Sequence, residues 1–245
     1  MDKEYNLNHK IVKLWENIDS ELKKEYNFLK RIPKFYTRPK KDSILFIGLN
    51  PAYQKDRFKG LDLKVNPDNF DGIIDNYDIA KIANFEKDSH DKNSEYYYPE
   101  YFNDLNYIAD NILKKKNDGI NFEQCDMFLM RETDATDVKK LVEFDEGFRY
   151  RQIEILKEYF KDAKPRMIII PNHEVSKYYH RYILNDKIKK ISFPIAKNIP
   201  LIKQVWTIDQ YIKDKDNAFE KTLDITNKEH LQKVRDFHQQ YKSNK

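Results

Sequence analysis

Apolar residues near the start of the chain recur at a spacing close to 3.6, at Ile11, Leu14, Trp15, Ile18, Leu22 and Tyr26. This spacing predicts an amphipathic helix, which Pro33 and Pro39 then interrupt. The pattern changes over residues 43–49, where an uninterrupted apolar run sits between Lys41-Asp42 and Asn50-Pro51. A run with no polar face suits a strand buried on both sides, as in a parallel sheet. Residues 126–130 and 166–170 read the same way. Between these runs the spacing is helical. Tyr101, Leu105, Ile108, Ile112 and Leu113 predict a helix over 99–116, ended by Asn117-Asp118-Gly119. Further helices are predicted over 148–161, before Pro165, and over 173–184. Residues 54–95 are polar and read as a long excursion with one short helix near 79–85. The remainder holds two β-rich stretches within 188–208, separated by Asn198-Ile199-Pro200, and a charged helix over 227–241.

Strands alternating with helices are the signature of βαβ units. The expectation is one three-layer α/β/α domain over 1–245, with a mostly parallel central sheet whose core strands are 43–49, 126–130 and 166–170. A helical extension over about 1–40 precedes it, and a long insertion covers about 54–98.

Composition narrows the chemistry. With 40% apolar and 14% aromatic residues, the chain is too rich in core-forming side chains to be disordered throughout. No apolar stretch approaches the roughly 20 residues that span a bilayer, and Met1-Asp2-Lys3-Glu4-Tyr5 does not open a secretory signal. No membrane partner and a cytoplasmic location are the expectation. A single cysteine, Cys125, leaves no internal disulfide, zinc ribbon or four-cysteine iron–sulfur cluster to consider. The histidines lack HxxxH spacing, so neither a metal nor a cofactor is expected. Net charge is only +4, but it is unevenly spread. Residues 23–41 carry eight bases and one acid, whereas 62–95 carry nine acids and four bases.

In an open parallel sheet, ligands bind beyond the carboxyl ends of the strands. That rule selects the junctions 48–53, 131–134 and 171–174. Glycine is scarce, five in all, so Gly48 at the end of the first predicted strand suggests close backbone approach or an unusual dihedral. No glycine pair has GxGxxG or GxxxxGK spacing, so the common nucleotide fingerprints are absent.

The run Ile44-Leu45-Phe46-Ile47-Gly48-Leu49-Asn50-Pro51-Ala52 resembles the first motif of the uracil-DNA glycosylase superfamily, in the Gly-x-Asn-Pro form of its mismatch-specific branch. The order of elements is similar over 43–182. A second motif of the His-Pro-Ser kind is not recognisable around 205–209.

The resemblance implies a protein that binds a flipped or single-stranded base, with slow hydrolysis of the N-glycosidic bond. The alternative is a catalytically inactive nucleic-acid or nucleotide-binding protein on the same fold. Asn50 would be the catalytic residue, its carbonyl oxygen orienting a water, because an amide cannot deprotonate one. Gly48, Leu49, Pro51, Ala52 and Tyr53 would line the base site. Tyr53, or an aromatic from Tyr96-Tyr97-Tyr98, offers a ring for stacking, Asn172 an amide to read the base edge, and Arg131 or His173 a donor for the departing base. Single-stranded or damaged DNA is the implied partner, with Lys30, Arg31, Lys34, Arg38, Lys40 and Lys41 available to its phosphates. Each residue also has a plainer role open to it: a turn for Asn50, packing for Tyr53, a helix cap for Asn172 and an ion pair for Arg131.

Overall fold

The computed structural model describes residues 5–41, 43–54, 56–99, 102–103, 105–106, 122–165, 167–170, 173–183, 201–204 and 220–223. In chain order the elements are α1 (Asn6–Glu16), α2 (Ser20–Glu25), a 3-10 turn (Asn27–Lys30), β1 (Ile44–Gly48), α3 (Asn76–Asp88) and β2 (Phe122–Asp126). There follow α4 (Ala135–Phe144), α5 (Glu146–Ala163), β3 (Met167–Ile170), α6 (His173–Tyr182), β4 (Leu201–Gln204) and β5 (Glu220–Leu223). The chain divides into two compact units. The first comprises Met1–Pro39, Asn50–Tyr97 and Phe128–Tyr159; the second comprises Lys40–Leu49, Tyr98–Met127 and Phe160–Lys245.

The second unit holds an all-parallel sheet in the order β2-β1-β3-β4-β5. The chain steps outward from β1 to β2 and then resumes on the other side at β3, which puts the topological switch point between β1 and β3. Ile44, Leu45, Phe46 and Ile47 are wholly buried, as a strand covered on both faces requires. Ile168, Ile169 and Ile170 of β3 and Val175, Tyr178 and Tyr179 of α6 are buried as well. Phe160 and Tyr179 bring their rings within 6.3 Å of each other. The sheet belongs to the α/β class expected from the alternation of buried runs and helical spacing.

One strand lies four residues earlier than the apolar pattern predicts. β2 is Phe122–Asp126, and the apolar residues 127–130 leave the sheet as a buried connection. Polar side chains survive inside β2 because they are bonded. Glu123 accepts the Lys40 backbone N–H at 3.0 Å, and the Gln124 amide donates to Asp126 at 3.0 Å. Gly48 ends β1 with an extended backbone, so it has no unusual dihedral.

The first unit is helical. α1 buries Leu7, Ile11, Val12, Leu14 and Trp15 on one face, and Trp15 packs on Phe148 of α5 at 5.8 Å. The Asn8 side chain closes two hydrogen bonds with the Tyr36 backbone, at 2.8 and 3.0 Å. Tyr36 in turn meets Tyr159 at 4.8 Å. The helix expected near 79–85 extends to Asn76–Asp88, with Asp75 accepting the Asp78 backbone N–H at its start. α4 begins in the same way, with Asp134 accepting from Thr136.

The polar excursion before α3 is tied down by backbone bonds. Ile32 donates to Pro67 at 2.8 Å, and Phe70 to Lys30 at 2.6 Å. It turns at Gly72, whose φ of +99° a side chain would strain. A Cβ there would also stand 3.3 Å from the Glu16 Cα. The expected segments 188–198 and 227–241, most of 99–116, and the vicinity of 205–209 lie outside the described residues. Among the described residues no helix is long and apolar enough to cross a membrane.

Candidate functional site

Asn50 and Pro51 open a stretch of the first unit that meets residues 131–134 edge to edge. The Asn50 Nδ2 donates to the Glu132 carbonyl at 2.6 Å and to the Pro51 carbonyl at 3.2 Å. The Glu132 N–H donates back to the Pro51 carbonyl at 3.2 Å. Thr133 Oγ1 donates to the Tyr53 carbonyl at 2.7 Å. Both contacts of the Asn50 amide are to carbonyl oxygens, so its nitrogen must face them and its oxygen must point away. Asn50 is only partly buried, and Oδ1 meets no donor among the described residues.

Tyr53 is partly exposed beside Asn50 in sequence. The Arg31 guanidinium lies 3.6 Å over its ring, and its hydroxyl donates to Asp68 at 3.2 Å. Burial first, and then the Asp68 carboxylate, push the Tyr53 phenol above its ordinary value, while Arg31 opposes them. The group is a hydroxyl donor throughout the neutral range.

Glu132 links these parts. Its Oε2 pairs with Arg31 at 2.9 Å, and its Oε1 accepts the backbone N–H of Thr133 at 2.6 Å and of Asp134 at 3.2 Å. Arg31 also donates to the Arg131 carbonyl at 2.8 Å. The result is an acceptor-rich site. Among the described residues it presents a partly exposed ring and an amide oxygen turned away from the two carbonyls.

Arg131 takes no part in that display. Its side chain is 1% exposed, pairs with Glu86 at 2.6 Å, and donates to the carbonyls of Ile32 at 3.1 Å and Pro33 at 3.4 Å. The guanidinium also lies 4.9 Å over the Phe58 ring. Arg57 approaches the other oxygen of Glu86 at 3.3 Å. Burial alone would raise the Glu86 carboxyl, but Arg131, Arg57 and Lys34 hold it down at about 2. Burial, and then Lys34, push the neighbouring His90 down to about 3, so its ring is neutral. This buried cluster joins the 57–58 loop, α3 and the 131–134 junction into one piece.

The other expected site residues fall as follows. Gly48 lies in register with Asp126 in the sheet unit, and Met127 donates its N–H to the Gly48 carbonyl at 2.9 Å. Leu49 and Pro51 are buried, and Ala52 is partly exposed. Asn172 lies outside the described residues, and His173 is described only as the first residue of α6.

Of the six cations expected to meet phosphates, Lys34 is buried at 3% exposure and Arg31 is committed to Tyr53 and Glu132. Lys30 is partly exposed and bonds Asn27 at 2.8 Å, while Arg38, Lys40 and Lys41 are exposed. Sequence reasoning missed the roles of Glu132 and Arg31. No motif signals them, because both act through bonds between segments far apart in the chain. Comparison with protein-family models, with curated proteins and with solved structures finds no match to this chain.

Proposed function

We propose that the chain is a uracil-DNA glycosylase-like protein, a three-layer α/β/α fold that takes up a flipped or single-stranded base and hydrolyses its N-glycosidic bond slowly. One observation carries this reading: the hydrogens of the Asn50 amide are held by two carbonyls, which leaves its oxygen to orient a ligand or a water. The residue belongs to Gly48-Leu49-Asn50-Pro51, directly after a buried strand that ends at Gly48.

Breaking the C1′–N bond builds positive charge on the sugar and negative charge on the departing base. An amide oxygen aimed at the anomeric carbon can hold a water in line but cannot remove its proton. The rate therefore depends on how far the base departs before water attacks. Tyr53 supplies a ring on which the extruded base stacks, with Arg31 already covering the opposite face.

A second reading has its own support. The Arg131 guanidinium is bonded to Glu86 and to two carbonyls, so it does not serve the departing base. With that donor committed, a protein that binds a base without cleaving is the alternative.

Single-turnover base release from uracil- and hypoxanthine-containing oligonucleotides separates the two. Asn50→Ala is expected to lower release by about 10²-fold or more, the scale of a lost positioning group. Asn50→Asp is expected to lower it as well, since a carboxylate has no hydrogen to donate to the Glu132 and Pro51 carbonyls that hold the amide and is repelled by both. Equal, nonzero rates in wild type and Asn50→Ala would remove Asn50 from the chemistry. A wild type that binds these strands and releases nothing makes the binding protein the correct reading.

A further inference from the structure

Arg31 belongs by sequence to the basic run 23–41, and its guanidinium is engaged within the protein. Its face lies 3.6 Å over the Tyr53 ring, and Nη1 is shared between the Arg131 carbonyl at 2.8 Å and Glu132 Oε2 at 2.9 Å. Its own carbonyl accepts the Trp15 indole N–H at 3.2 Å, from a side chain that is wholly buried. The backbone that carries Arg31 is thereby fixed.

The carboxylate that Arg31 holds belongs to the residue that anchors Asn50. Every polar group of Glu132 is engaged: the carbonyl with Asn50, the N–H with Pro51, Oε1 with Thr133 and Asp134, and Oε2 with Arg31. One planar cation thus lies over the ring and holds the carboxylate of the residue whose carbonyl anchors the Asn50 amide. Lysine could not do both. Only a guanidinium stacks flat on an aromatic face while its edge donates in a fixed fork.

We propose that Arg31 is a positioning residue of the Asn50–Tyr53 site, fixing the Tyr53 ring and the Asn50 amide relative to each other through the cation–π contact and the Glu132 pair, and is not a phosphate contact. The ligand measurements below rest on the base-binding reading of the preceding section; the ligand-free one does not.

The ligand-free test is the side-chain amide resonance pair of Asn50, identified by its loss in Asn50→Ala. In the wild type both protons should lie downfield of those of a freely solvated asparagine, because both are hydrogen-bonded to carbonyls. In Arg31→Met the pair should move toward the position of a freely solvated asparagine. Arg31→Lys, which keeps the charge and guards against a failure to fold, should behave the same way. Lys13→Met, which removes an exposed cation from α1, should leave the pair in place. A wild-type pair in either Arg31 variant overturns the proposal.

The ligand test measures binding of single strands with and without one uracil over a range of salt. Arg31→Met should weaken the preference for the uracil strand by about tenfold, within what a small misplacement can cost, and leave the salt dependence unchanged. A log–log slope reduced by about 0.7 with the preference intact would make Arg31 a phosphate contact and overturn the proposal. A wild type with no preference for uracil defeats the base-binding reading instead, and the amide resonances then decide Arg31 alone.

Discussion

Glu86 and His90 show how two buried side chains give this protein a direction of pH sensitivity. Both have pKa values displaced downward, Glu86 from 4.5 to about 2 and His90 from 6.5 to about 3. For His90 the unfolded chain takes up a proton as pH falls below 6.5, while the folded one does not until about 3. Stability is therefore lost progressively across that window. Glu86 acts with the same sign over a lower range. Its contribution is complete above 4.5 and is lost as pH falls toward 2. Each group in such a window costs about 1.4 kcal/mol per pH unit. Urea-unfolding free energies should decline steadily as pH is lowered from about 7 to about 4, and His90→Gln should flatten the decline above about 4.5. A wild-type slope retained in His90→Gln would assign the acid sensitivity elsewhere.

At the scale of elements, α1 is built into the first unit and is not an appendage. Its Trp15 is wholly buried against Phe148, and Lys10 pairs with Glu158 of α5 at 2.6 Å. Trp15→Ala should cost roughly 3–5 kcal/mol in chemical unfolding, the range for emptying a large aromatic site. A loss near zero would mean that α1 is peripheral.

The same helix illustrates what the sequence made legible. Its apolar spacing announces the buried face of Ile11, Leu14 and Trp15, but the helix ends at Glu16 and α2, which carries Leu22, buries no residue; the unbroken runs of β1 and β3 announce strands covered on both sides. β2 lies ahead of its apolar run because apolar character reports burial and not hydrogen bonding. Residues 127–130 are buried without being paired in the sheet, whereas Glu123 and Gln124 are paired and hydrogen-bond their polar groups, Glu123 to the distant Lys40 backbone and Gln124 to nearby Asp126. α4 is not among the expected helices, although Asp134 as cap and Val138, Leu141 and Val142 as apolar positions mark it. β5, Glu-Lys-Thr-Leu, is an edge strand with no apolar run to mark it. At the site, Asn50 and Tyr53 were visible as residue types in a motif. The bonds through Glu132 and Arg31 that orient them depend on tertiary pairing and leave no local pattern.

For the molecule as a whole, single-stranded DNA should bind with an affinity that falls as salt rises, because each neutralised phosphate releases condensed counterions. The exposed cations should carry this dependence. Reversing Lys40 and Lys41 together, or Lys30 and Arg38 together, should flatten the log–log slope by about 0.7 for each contact removed. Lys34→Met should change thermal stability and leave the slope as it was, since its ammonium is enclosed. No detectable binding at ~50 mM salt would count against nucleic acid as the partner. The order of the sheet has a further consequence, in time and not in energy. β1 occupies an inner position whose two neighbours, β2 and β3, are encoded far downstream. At a synthesis rate of about 5–20 residues per second, the strand Ile44-Leu45-Phe46-Ile47 emerges several seconds before either partner exists. During that interval an apolar, β-prone segment has no native edge to join, so the nascent chain depends on being shielded until β2 and β3 follow it out of the ribosome.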